Sequence, residues 1–361
     1  MITPGHSFAG TAPNQNTVIS TSTSNYRIRP FVSSQDEAVL LEICKDVWNG
    51  TDYLPSRARD FEADESCDFC VMENEDGEVV AVGNSRLYQI TNGNKESKEK
   101  IAWIESIRTS TKHRGKGIAT RLLEAFINRA KQNNITRIMS CTVDDNFPML
   151  KVFDRVDMEL KNNMYYSDFE VLKTLPGWGS KSSDVSQPQS LLTALNLEHL
   201  VEESTRSIQW STIKSEAELN DALTDMKKAG GLGHLPGMGK MYFFDCNVKE
   251  SLEKGLIRKI ERKENGSNKT SCIAIYCFSR DTSIQSLKSK WVCSIVASES
   301  VSFESALWDA CSDSMIAKRD GDVAFVPVYD GCLSKDSVSK SAFMSALPIQ
   351  RKRSFVIYSH N

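Results

Sequence analysis

No apolar run in the 361 residues approaches the roughly 18 needed to cross a bilayer, and the first residues lack the basic and apolar segments of a secretory leader. A membrane is therefore not an expected partner, and a cytoplasmic location is expected. A surplus of positive charge is also missing. The 44 Lys and Arg face 47 Asp and Glu, a formal net charge of -3, so the electrostatic footprint of a nucleic-acid binder is absent. Ten cysteines without a leader point to a reducing compartment and small buried thiols rather than disulfides. Cys67 and Cys70 have CxxC spacing, but no second pair and no HxxxH follows, and the five histidines form no HExxH. No metal site is expected. Neither GxxxxGK[ST] nor GxGxxG occurs, which removes the P-loop and dinucleotide-binding readings.

What the chain carries is an alternation of strand and helix signals. Residues 1–24, rich in Ser, Thr, Asn, Gln and Pro, have little to bury and read as a flexible tail. A strand from Tyr26 to Phe31, a helix from Gln35 to Val47 and a loop through Gly50, Asp52 and Pro55 follow. Strands from Phe69 to Glu73 and from Val79 to Leu87 flank Asp76-Gly77, a hairpin signal. The next strand runs from Ile101 to Thr109. Ile118, Leu122, Leu123, Phe126, Ile127 and Ala130 then share one face of a helix from Ile118 to Gln132. A strand from Ile135 to Val143, a helix from Phe147 to Val156 and a strand from Met164 to Leu172 complete an α/β (α+β) domain over residues 25–174.

Residues 175–190, polar and rich in Pro, Gly and Ser, read as a linker, and residues 191–361 as a second domain. There the expected strands are Ser207 to Ile213, Met241 to Asp245, Ser271 to Phe278, Trp291 to Ala297, Val323 to Tyr329 and Ser354 to Ser359. Helices are expected from Glu216 to Lys227, Phe303 to Lys318 and near Ala342 to Leu347. The order parallels the first half. The second domain is then either a duplicate that has lost its phosphate loop or an unrelated α+β domain.

The chemistry-bearing stretch is Ile107 to Leu123, where a strand ends, a basic loop His113-Arg114-Gly115-Lys116-Gly117 turns, and an amphipathic helix begins. Such a loop gathers unpaired backbone N–H groups and the positive helix end at one point, and glycines let an anion approach the backbone. A pyrophosphate fits that chemistry. These residues resemble the acetyl-CoA signature of the GNAT superfamily of N-acetyltransferases, Arg/Gln-x-x-Gly-x-Gly/Ala, which is met by Arg114, Gly117 and Ala119. A looser second signature falls in register on Asn146, Met149, Val152, Phe153, Arg155, Asp157 and Met158, with Phe153 where the family often has a Tyr that protonates the leaving thiolate. The general acid is accordingly left open.

The resemblance implies a GNAT fold, a mixed central sheet flanked by helices, followed by a second domain that would be a degenerate copy. It implies acetyl-CoA as co-substrate and direct attack by an amine in a ternary complex. Ile107 and Thr109 would contact the acyl-pantetheine arm. Arg114, Gly115, Lys116, Gly117, Ile118, Ala119 and Thr120 would hold the pyrophosphate, and Asn146 and Phe153 would line the cofactor. An ammonium must lose a proton before it attacks, and Glu105, two residues before Ile107, stands where several small-amine members of the superfamily carry their base. Strict strand alternation would put Glu105, Ile107 and Thr109 on one face.

A narrower likeness begins at Val47-Trp48-Asn49-Gly50-Thr51-Asp52-Tyr53-Leu54-Pro55, which resembles the acceptor-side segment of the vertebrate histidine N-acetyltransferase branch. It implies that Asp52 and Tyr53 meet the incoming amine, by charge and as an amphipathic wall. The leading expectation is acetylation of a small amine, with the L-histidine α-amine as best guess. Protein N-terminal or lysine acetylation and a non-catalytic CoA-binding module are the alternatives, and no protein partner is indicated. The glycine-dense loop around His234 reads as a linker or lid.

Overall fold

The computed structural model describes residues 2–4, 18–21, 24–50, 52–91, 98–168, 199, 208–229, 248–264, 266–279, 289–312, 323–329 and 351–360. The expected linker, the His234 loop, the strand at Met241 and the helical piece near Ala342 lie outside these. The chain forms two compact units. One holds Ile2–Lys161 with Val356–Asn361, and the other holds Asn162–Thr282 and Ser286–Phe355.

The strands of the first unit run in the order β2 (Val18–Thr21), β3 (Ser24–Pro30), β4 (Cys67–Glu73), β5 (Val79–Thr91), β6 (Lys98–Thr109), β7 (Arg137–Val143) and the end, from Val356, of β14 (Arg351–His360). β2 to β6 are antiparallel neighbours, and β7 joins β6 in parallel. Residues 2–4 and 18–21, from the stretch expected as a tail, are strands: β1 (Ile2–Pro4) pairs with the end of β5, and β2 pairs with β3. The Asn74-Glu75-Asp76-Gly77 hairpin forms as expected. The Asn74 side chain accepts the Asp76 and Glu78 amides, and Gly77 takes φ +76°.

Helices cover both faces. α1 (Ser33–Cys44) and α2 (Leu54–Ala63) bury Leu40, Ile43, Leu54, Ala58 and Phe61 against Phe69, Val71 and Val82. α2 was expected as loop. Pro55 in its first turn starts the helix without losing an intrahelical hydrogen bond, and Leu54, Ala58 and Phe61 then fall on one side. On the other face α3 (Ile118–Gln132), whose bounds match the expectation, packs with Leu122, Leu123, Phe126 and Ala130 on Ala102, Ile104 and Ile138. α4 (Phe147–Arg155) adds Phe153 to this core, and the Phe153 ring stacks on Tyr358 of β14 with centroids 4.6 Å apart.

The strands of the second unit run in the order β8 (Glu159–Asp168, from Asn162 on), β13 (Val323–Tyr329), β12 (Ser289–Ala297), β11 (Ser267–Ser279), β10 (Ile257–Glu264) and β9 (Ser211–Thr212). Its helices are α5 (Glu216–Lys228), α6 (Val248–Glu253) and α7 (Ser300–Ser312). An antiparallel β10–β11–β12 meander leads through α7 to β13, parallel to β12. The first unit runs β4–β5–β6, α3, β7 in the same order and sense. β10 was missed in the sequence because Ile257-Arg-Lys-Ile-Glu-Arg-Lys-Glu is mostly charged. Only Ile257 and Ile260 are buried before the register shifts at Ile260/Glu261. Among the described residues no helix is long and apolar enough to cross a membrane.

Candidate active site

The site is organised by one irregularity in β6. Val82 pairs with Arg108 and Asn84 with Glu105, so the single residue Gly83 opposes both Ser106 and Ile107. This is a β-bulge, and Ser106 sits at its turn with φ +62°. Gly83 also makes room for the helix: a Cβ there would come within 3.0 Å of Leu122 and Phe126. Past the bulge β6 and β7 part. Their parallel ladder covers Ile101–Ile104 against Arg137–Ser140 and stops there, where Ser140 Oγ donates to the Ile104 carbonyl. Beyond Ile104 no β7 residue is registered against β6 among the described residues.

The bulge overturns the expected facing. Ile107 packs on the α3 side of the sheet, whereas Glu105 and Arg108 lie on the α1/α2 side, because the extra residue breaks the two-residue period. Ser106, held at the bulge, accepts from or donates to the Tyr53 hydroxyl at 2.8 Å. Glu105 is half-buried, and burial raises its carboxyl above the ordinary value against the opposing pull of Arg86 and the Asn84 amide. Burial also pushes the Tyr53 phenol up to about 12, and Glu105 adds to the shift.

Asp52 has a different occupation from the expected amine contact. Its carboxylate, almost fully buried, takes Arg108 Nε at 2.7 Å and Nη2 at 3.0 Å and also accepts the Leu54 amide. The Arg108 guanidinium in turn lies 5.8 Å from the Tyr53 ring centroid. Asp52 therefore anchors Tyr53 and Arg108 rather than facing an open pocket. Sequence reasoning missed Ser106 and Arg108, whose roles depend on the bulge. It also missed Asn84 and Arg86, for which two polar residues inside the apolar run of β5 were a readable signal.

At the other end of the slot, residues 110–117 turn from β6 into α3. Ser110 donates its amide to the Val80 carbonyl, and Thr111–His113 form one helical turn. Gly115 and Gly117 take φ +78° and +76°, and nothing lies within 4 Å of where their Cβ atoms would be. Both positions thus favour glycine for the turn, and the space beside them is open. No side chain caps α3, so the first-turn amides at Ile118, Ala119 and Thr120 face that opening, and the buried Thr120 Oγ1 has no hydrogen-bond partner among the described residues. Exposed Lys112, Arg114 and Lys116 surround it. Such a donor set suits an anionic group.

The second expected signature does mainly structural work. Asn146 caps α4 by accepting the Met149 amide and donates to Thr142 Oγ1 at 2.9 Å, and the buried Phe153 presents no surface. Thr109 stays beside the loop, its carbonyl accepting Arg114 Nε at 3.4 Å. Cys67 packs with the α1/α2 core and Cys70 with the α3 core, on opposite faces of β4, so this CxxC cannot converge on one ion.

The model of the acetyltransferase (GNAT) family matches residues 38–158. An "N-acetyltransferase 9-like protein" of Caenorhabditis briggsae is 30% identical over 120 residues, 32% of this chain; the chain spans 60% of that relative's length. Among solved structures, a GCN5-related N-acetyltransferase from Sphaerobacter thermophilus superposes with a TM-score of 0.50 at 12% identity, covering 93% of this chain and 95% of its own. A glucosamine N-acetyltransferase region in a fungal multi-domain GH3 β-N-acetylglucosaminidase gives 0.53 at 12% identity, over 97% of this chain and 40% of that one. At such identities the structural likenesses speak to the fold.

Proposed function

We propose that this chain transfers an acetyl group from acetyl-CoA to the amine of a small molecule, with the L-histidine α-amine as the acceptor; the match of residues 38–158 to the acetyltransferase (GNAT) family supports the reaction class. The observation that carries this reading is the uncapped α3 N-terminus with its two open glycines, joined by the parting of β6 and β7 to a half-buried carboxylate. When bound, acetyl-CoA supplies a thioester carbonyl activated toward an amine. The amides from Gly115 to Thr120 and the Thr120 hydroxyl would bind its pyrophosphate, and the unpaired β6 backbone beyond Glu105 would bind the pantetheine arm.

Glu105 removes the proton that keeps an ammonium from attacking. A carboxyl shifted upward by burial is better matched to that task near neutral pH than an ordinary one. Tyr53, fixed by Ser106 on the face of Glu105, forms an acceptor wall, and Asp52 supports it through Arg108. Incubation with acetyl-CoA and the free amino acids, followed by mass analysis, tests the reading, with N-acetylhistidine expected. Lysine or a peptide N-terminus acetylated faster than histidine would move the acceptor to proteins.

A further inference from the structure

Asn84 lies on β5 directly opposite Glu105, with no exposed surface. Its Nδ2 donates to Glu105 Oε1 at 3.0 Å and more weakly to Cys67 Sγ at 3.5 Å, while its Oδ1 is buried with no partner among the described residues. A position needed only for packing would be filled by an apolar side chain, since a buried amide with an unmatched oxygen carries a desolvation cost. What the amide supplies is a directional donor to one carboxylate oxygen. The acceptor-only character of an ionised carboxylate fixes which way round the amide stands.

Other groups face Glu105, and none duplicates this bond. Arg57 of α2 and Asp64 just after it, Arg86 and Tyr88 of β5, Tyr53 and Cys141 of β7 all lie within electrostatic reach. Arg86 contributes charge, but its own donors are spent on Cys67 Sγ at 3.1 Å and the Tyr88 hydroxyl at 3.3 Å, and it sits 3.6 Å from Asp64. No donor reaches Glu105 Oε2 among the described residues. We infer that Asn84 is the positioning residue of proton removal: it holds Glu105 by Oε1, favours the ionised carboxylate, and leaves Oε2 for the acceptor ammonium. The ammonium N–H bond breaks, the proton goes to Oε2, and the nitrogen keeps the electron pair for attack. This inference rests on Glu105 being the base.

The test uses the full chain with saturating acetyl-CoA and L-histidine, and measures kcat against pH for the wild type, Asn84→Leu, Asn84→Asp and Glu105→Gln. Loss of a hydrogen bond to the ionised form makes ionisation harder, so Asn84→Leu should move the acidic limb up by about one pH unit, with KM for acetyl-CoA unchanged. Asn84→Asp keeps the shape but places a second carboxylate against the first, and should move the limb further. Leucine also removes the orphaned oxygen, so its Tm should not fall in proportion. A limb that stays in place in both Asn84 variants but vanishes in Glu105→Gln overturns the inference and spares the base. A limb retained in Glu105→Gln overturns both. Independently of any acceptor, the Glu105 carboxyl can be titrated by 13C NMR and assigned by its loss in Glu105→Gln. An upward shift in Asn84→Leu is expected, and an unmoved titration would refute the role.

Discussion

The two halves of the chain share an order of elements and differ where the first half becomes a site. In both, a serine at the end of the third meander strand donates its amide to a carbonyl of the central strand: Ser110 to Val80 at 2.9 Å, and Ser298 to Ser271 at 3.0 Å. Both helices are then tied to the first meander strand by an ion pair with the charges exchanged. Arg129 of α3 meets Asp68 of β4 at 2.8 Å, and Asp309 of α7 meets Arg258 of β10 at 2.7 Å. From the serine onward the halves part. The first spends residues 111–117 on a basic glycine turn, whereas the second enters α7 directly after Glu299, a residue paired with Arg262. β6 is broken at Ser106 and leaves β7 after Ile104, while β11–β12 runs without a register shift and β12–β13 pairs from Ser289↔Val323 through Ile295↔Tyr329. The same order of elements thus has a bulged third strand, a splayed neighbour and an uncapped helix in one unit, and in the other an unbulged third strand paired with its neighbour over seven residues.

The largest effect expected from breaking this contrast is at Gly117. Gly117→Glu brings a side chain to a left-handed position and a negative charge to the helix N-terminus, so the thermal stabilisation by acetyl-CoA, a mass-action effect, should vanish along with turnover. An undiminished shift would put the cofactor elsewhere. Next is Asp52→Asn, which leaves the Arg108 guanidinium without its carboxylate in a mostly buried setting. A loss of about 3–5 kcal/mol in denaturant unfolding is expected, in place of a simple rise in KM. Wild-type stability with a raised KM would return Asp52 to the substrate.

Glu105→Gln should then lower kcat by about a hundredfold with acetyl-CoA affinity retained. The ionised form is the active one and its pKa is raised, so the wild-type rate should climb with pH through a midpoint above the ordinary carboxylate range, and the variant should lack that limb. The smallest effect is expected in the second half. Glu299 and Arg262 form a solvent-facing pair, so Glu299→Gln should cost less than about 1 kcal/mol and leave calorimetric CoA binding at one equivalent per chain. Two equivalents, before or after the substitution, would break the contrast.

Much of the first half was legible because its signals are local. α3 could be read to its ends from the spacing of Ile118, Leu122, Phe126 and Ala130, and the tight turn before it from Gly115 and Gly117 after a strand. The bulge was not legible. Ser106 is an ordinary residue in an ordinary strand pattern, and only the cross-strand register with Gly83 reveals that Glu105 and Ile107 face opposite ways. The role of Asp52 was hidden for the same reason, since its partner Arg108 reaches it only from the shifted side of β6. The place of residues 356–361 in the first unit has no local signal at all, being fixed by packing such as Phe153 on Tyr358.

That last strand bears on how the protein comes into being. During synthesis the chain emerges in order, and domains tend to fold as they appear. The unit that holds Glu105 and the Gly115–Gly117 turn, however, includes the end of β14, which emerges only after the entire second unit has been made. Until Tyr358 arrives, Phe153 and the α4 end of the core lack their aromatic partner. The second unit thus acts as an interval in time. A chain interrupted anywhere within it would carry Glu105 and the Gly115–Gly117 turn and still lack the segment that brings Tyr358 to Phe153.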